Sequence, residues 1–120
     1  MVIKATVLYS GLLLSRYDVT LEVAQHTNDL QARFDLVCIA KEAGHNRSDV
    51  INFEEERYGL FQIHSEDSSK YCGIEDASEL RSDWRRSVEC AYKIYENEST
   101  DAWPKFGEYR KNCYPPQMQR

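Results

Sequence analysis

Four cysteines, Cys38, Cys72, Cys90 and Cys113, are the residues of this 120-residue chain best suited to chemistry. Thiols hold metals, act as nucleophiles or close disulfides. No Cys-x-x-Cys pair occurs, and no histidine stands close to a cysteine at metal-ligand spacing, which argues against a zinc site. Disulfides in an oxidising compartment are the better reading, and four cysteines leave three pairings open. Neither a Ser-His-Asp constellation nor a glycine-rich phosphate loop is visible, so no cofactor is expected.

The formal net charge of −5 bears on the partner. An acidic surface repels anionic bacterial walls and argues against nucleic acid. Residues 1–14 read as one early lysine followed by a mostly apolar run, the pattern of a short secretory signal and too short to span a bilayer. The expected organisation is a signal-like segment at 1–15 and one domain at 16–120, large enough to bury a core. Asn46-Arg47-Ser48 and Asn97-Glu98-Ser99 are glycosylation sequons, usable if the chain enters the secretory pathway.

The elements that must position any site are helices around a small sheet. Val19 and Val23, with Leu21 and Ala24 less regularly, predict a modest amphipathic helix over 16–26. Asn28-Asp29 breaks it, and a second helix is expected over 32–43, with Phe34, Val37, Cys38 and Ala40 as its apolar stripe and Gly44 as its C-cap. A loop and a first short strand lead through the exposed turn Glu54-Glu55-Glu56 to a second strand at Tyr58–Ile63. Residues 64–79 read as a long polar excursion needing a staple. Ser82-Asp83 opens a strong helix with Trp84, Ser87, Val88, Ala91, Ile94 and Tyr95 on one face. A last helical segment opens at Ser99-Thr100-Asp101, with Pro104 in its first turn.

Tyr58-Gly59-Leu60-Phe61-Gln62-Ile63, together with the cysteine-bearing run Leu36–Ala43, resembles the middle of the C-type lysozyme/α-lactalbumin family, its Leu60-Phe61 pair being closer to the insect than to the vertebrate members. The resemblance covers about residues 16–113 and implies an α+β fold: four main helices, a small antiparallel hairpin lobe and a sugar cleft between them. It also implies the pairings Cys38–Cys113 and Cys72–Cys90. The family's other two bridges are missing by matched halves: Tyr17 stands where one of those cysteines is expected and Asp76 where another is.

The family hydrolyses glycosides with two carboxylates, an acid on the second helix and an ionised aspartate on the sheet, and lysozyme is itself the standard illustration of that chemistry. At those two places this chain carries Ala43 and Arg57. Glu42 is one residue early on the helix, about 100° from the needed face, and Glu56 is one early on the strand, which points to the opposite face. No catalytic residue is therefore expected. A guanidinium at Arg57 stands where an oxocarbenium-like transition state needs negative charge.

Of the cleft residues, Arg57, Gln62, His64, Tyr71 and Trp103 are the candidates for ligand contact, with His64 also readable as an ordinary loop histidine. The calcium cluster of the α-lactalbumin branch is not preserved, because Asp83 remains beside Arg86 and Ser87. The resulting expectation is a secreted, monomeric, non-catalytic lysozyme-like protein. Its cleft would take a neutral saccharide or a protein, with no role for nucleic acid or membrane. Two alternatives stand beside it: a hydrolase with displaced carboxylates, and a regulatory module of the α-lactalbumin kind.

Overall fold

A computed structural model describes residues 13–116. It is an α+β structure with five α-helices and a three-stranded antiparallel sheet among those residues. Helix α1 (Arg16–Ala24) is N-capped by Ser15, whose side chain accepts from the Asp18 amide, and buries Val19 and Val23. Helix α2 (Leu30–Glu42) is capped in the same way by Asp29. Of its expected stripe Val37, Cys38 and Ala40 are buried, but Phe34 is 49% exposed, and the buried face also takes in Ala32, Asp35, Leu36 and Ile39, wider than the sequence suggested.

Gly44 does not cap α2, whose last residue is Glu42 and whose C-cap is Ala43. Its place is a close approach: a Cβ there would sit 1.9 Å from the Leu60 carbonyl oxygen, so only glycine lets the end of α2 meet the sheet lobe.

The lobe consists of β1 (Ile51–Asn52), β2 (Arg57–Tyr58) and β3 (Ile63–His64), in that spatial order. The Glu54-Glu55-Glu56 segment lies in the exposed turn between β1 and β2. Tyr58–Ile63 is not one strand, as the sequence suggested. Gly59 (φ +80°) and Gln62 (φ +49°) take left-handed conformations, so the chain turns back and Arg57 pairs with His64, Tyr58 with Ile63. The turn drives Leu60 and Phe61 into the core, where both are fully buried. The Gln62 amide fastens it by donating to the Gly59 and Val50 carbonyls, each at 3.0 Å.

The expected polar excursion is in part a helix, α3 (Ser65–Cys72). Its sequence has no apolar stripe, so hydrophobic periodicity could not reveal it. Capping forms it instead: His64 Nδ1 accepts from the Glu66 amide, Glu66 and Asp67 occupy the first turn, and Gly73 closes the last. Ser68 is the one buried polar residue of α3, and its hydroxyl donates to the Ile74 carbonyl at 2.7 Å.

A 3₁₀ turn (Ala77–Arg81) leads to α4 (Trp84–Glu98), capped by Asp83 and burying Trp84, Ser87, Val88, Cys90, Ala91 and Ile94 on the expected face. The last segment divides. Ser99–Ala102 is a 3₁₀ turn, and Pro104 lies between it and α5 (Phe106–Cys113) rather than in a helical first turn.

Two disulfides tie the frame, Cys38–Cys113 between α2 and α5 and Cys72–Cys90 between α3 and α4. They close loops of 75 and 18 residues. Residues 1–12, most of the signal-like segment, lie outside the described residues. Its remainder is tied to the domain, since Leu13 bridges Arg47 and Leu14 is buried with its amide bonded to the Asn46 carbonyl at 2.7 Å.

Candidate functional site

A cleft of about 420 Å³ opens where the end of α2, the sheet lobe and the start of α5 meet. Ala43, Arg57, Gln62 and Trp103 line it together, with Glu42, His45, Asn52, Glu55, Pro104, Lys105 and Tyr109 completing the wall. Each position follows from the local folding just described. Ala43 is there because it caps the C-terminal end of α2, and Arg57 because the left-handed turn sets β2 against β3.

Arg57 is the centre of the site. Its side chain is 15% exposed, and its two terminal nitrogens donate to main-chain carbonyls on opposite sides, Nη1 to Gln62 at 2.9 Å and Nη2 to Ala102 at 3.2 Å. The guanidinium therefore bridges the sheet lobe and the helical segment. Its Nε lies 3.8 Å from Glu55, which stands 3.8 Å from Lys105 on its other oxygen. Glu55 is presented by the exposed β1–β2 turn, where its amide is held by Asn52 Oδ1.

Trp103 is a wall rather than a free face. It is 3% exposed, and its indole N–H donates to the Phe61 carbonyl at 2.7 Å. Tyr109 is half-buried, and burial raises its pKa, so its hydroxyl stays protonated and able to donate.

Glu42 lines the cleft beside Ala43, contrary to the rotation expected for a residue one place earlier on a helix. Ala43 keeps helical dihedrals, so the two side chains still leave the helix about 100° apart, and it is the length of the Glu42 side chain at the helix end that brings it to the wall. Its carboxylate accepts from Asn112 Nδ2 at 2.7 Å and pairs with Lys41 at 3.5 Å. Glu56 stands in the turn rather than on a strand, with φ +56°, and binds the Ser65 hydroxyl outside the cleft wall.

Two proposed ligand contacts lie elsewhere. His64 caps α3, and Tyr71 donates its hydroxyl to Glu98, so neither lines the cleft. His64 is occupied by the cap of the helix that the sequence had read as loop, and Tyr71 by a bond from that helix to the end of α4. Conversely, Glu55, Lys105 and Tyr109 went unrecognised. Lys105 and Tyr109 follow the recognised Trp103 by two and six positions, but their convergence on the β1–β2 turn is a tertiary fact with no local signature.

A second polar cluster holds the frame behind the cleft. Asp35, 4% exposed, accepts from Tyr95 at 2.7 Å, Tyr114 at 2.5 Å and Gln31 at 2.9 Å. Burial, followed by the adjacent Asp35 carboxylate, pushes both tyrosine hydroxyls well above their ordinary range.

Among the described residues no group of three or more His, Cys, Asp or Glu side chains is arranged to hold a metal. Asp83 instead accepts from the Arg86 amide at the start of α4. No helix among those residues is long and apolar enough to cross a membrane. No protein-family model, curated protein or solved structure matches the chain.

Proposed function

We propose that this is a secreted, non-catalytic lysozyme-like protein whose cleft binds a saccharide. The observation that carries the reading is Arg57: a guanidinium anchored to both lobes occupies the middle of a cleft whose helix end carries Ala43. A glycosidase needs a carboxylate at the sugar's reacting carbon and a protonated carboxyl in an apolar pocket facing it. A fixed positive charge opposes the developing oxocarbenium ion. The polar groups and aromatic walls that remain suit sugar hydroxyls. Two disulfides support an oxidising, extracellular setting.

Glu42 and Glu55 support a second reading, a hydrolase with displaced carboxylates, because both line the cleft. Against it, Glu42 is tied to Asn112 and Lys41, Glu55 stands between Arg57 and Lys105, and neither lies in an apolar pocket. The test is the double substitution Ala43→Glu with Arg57→Asp, assayed for cleavage of chito-oligosaccharides beside the wild type. Hydrolysis by the double variant alone supports the non-catalytic reading. Turnover by the wild type that Glu42→Gln abolishes establishes the second reading.

A further inference from the structure

The arrangement around Arg57 narrows the ligand. A guanidinium offers a planar fork of N–H donors that fits a carboxylate. Two of those donors are spent on the Gln62 and Ala102 carbonyls, and these bonds hold the fork rigid inside the cleft. Among the described residues the rest of the fork meets one acidic partner, Glu55 at 3.8 Å, an ion pair but too long for a hydrogen bond.

Glu55 is a loose partner. It is 44% exposed on the tip of a turn, and Lys105 on the opposite bank, 3.8 Å away, is 59% exposed. Exposed pairs of this kind contribute little and exchange readily with solvent. One carboxylate thus sits between two cations, one partly buried and anchored to two carbonyls and one exposed, at ion-pair rather than hydrogen-bond distance from both.

Resting on the saccharide reading, we infer that the ligand is an acidic saccharide whose carboxylate displaces Glu55 and is held between Arg57 and Lys105. A uronic acid is the simplest sugar of that class. The net charge of −5 does not contradict this. Net charge governs long-range approach and disfavours a polyanion, whereas a single carboxylate at hydrogen-bond range responds to the local cations. The Glu55 carboxylate serves as a stand-in for the ligand's, so binding exchanges one ion pair for a better one and leaves no charge buried alone.

The experiment is calorimetric titration of the intact protein with a tetrasaccharide alternating N-acetylglucosamine and glucuronic acid. The comparison is the same tetrasaccharide with its carboxyl groups reduced to alcohols. The acidic sugar is expected to bind about tenfold or more tightly, the factor that charge-assisted hydrogen bonds supply. Glu55→Gln removes the competitor and raises affinity for the acidic sugar several-fold, while leaving the reduced sugar unchanged. Lys105→Gln lowers the preference.

Equal affinity for the two sugars, or a preference that Glu55→Gln and Lys105→Gln leave untouched, overturns the inference while the saccharide reading stands. Binding of neither sugar overturns the inference, and the saccharide reading falls with it if tri-N-acetylchitotriose at millimolar concentration also fails to bind. Because Glu55 and Lys105 are exposed, their substitutions test recognition without disturbing the bridge that Arg57 makes between the lobes.

Discussion

Replacing Asp35 with alanine isolates the polar contact that holds α2, and therefore the Ala43 end of the cleft, against α4 and the segment after α5. The wild-type carboxylate is 4% exposed and takes hydrogen bonds from Tyr95 at 2.7 Å, Tyr114 at 2.5 Å and Gln31 at 2.9 Å. Gln31 is exposed and finds water once Asp35 is gone. The two tyrosines stand over packed helices and lose an acceptor that water replaces poorly. A hydrogen bond to a charged group contributes about 1.5–3 kcal/mol, so the two together set the expected loss at about 3–6 kcal/mol. For a domain of this size that corresponds to a Tm lower by about 12–24 °C.

Urea unfolding followed by circular dichroism measures the loss directly, with an unchanged slope showing that the unfolded state is not altered. Asp35→Asn keeps an acceptor and is expected to lose about half as much. Combined with Tyr95→Phe, Asp35→Ala is expected to cost less than the two single losses added, with a coupling of about 1–3 kcal/mol. A loss below about 1 kcal/mol for Asp35→Ala, or strict additivity with Tyr95→Phe, refutes the network as a stabilising element.

Other perturbations follow from the same geometry. Gly44→Ala places a methyl group 1.9 Å from the Leu60 carbonyl, so it is expected to destabilise by about 3 kcal/mol or more and to separate the α2 end from the lobe, measurable as loss of cleft ligand binding. Replacing both members of Cys38–Cys113 by alanine is expected to cost about 4.5 kcal/mol and both members of Cys72–Cys90 about 3, in line with loops of 75 and 18 residues; the reverse order in thermal melts contradicts the loop-entropy reasoning. The raised tyrosines make stability depend on alkaline pH. Tyr95 and Tyr114 keep their protons in the fold above the ordinary tyrosine value of 10.0, whereas the unfolded chain releases them. The fold therefore binds more protons than the unfolded state there, its stability is full below about pH 10 and falls as pH rises beyond it, and Tyr95→Phe flattens that fall in denaturant titrations.

Much of the frame is legible in the residues themselves. Asp83 before the Trp84–Ile94 stripe marks α4 because capping and periodicity agree there. The resemblance led to both cysteine pairings. What escaped did so for physical reasons. Helix α3 is short and polar and is made by caps, so a search for apolar stripes passes over it. The strands are two residues long, shorter than any alternation can reveal, and the left-handed Gln62 splits what looked like one strand.

Asp35 sits among Phe34, Leu36 and Val37, an acidic residue inside an apolar run, and its burial is settled by two tyrosines far along the chain. The cleft is half legible for the same reason. Ala43, Arg57 and Trp103 stand in recognisable local patterns, whereas Glu55 and Lys105 become neighbours only when the β1–β2 turn meets the start of α5.

If the proposed function holds, the cleft binds a sugar without cutting it. A single NMR titration of the isotope-labelled protein with tri-N-acetylchitotriose, watched over days, reads both halves. The account predicts shifts at the Trp103 indole N–H and at Arg57, Gln62 and Lys105, with the sugar's anomeric signals unchanged. New reducing-end signals, or a protein spectrum that does not move at those residues at millimolar sugar, would contradict it.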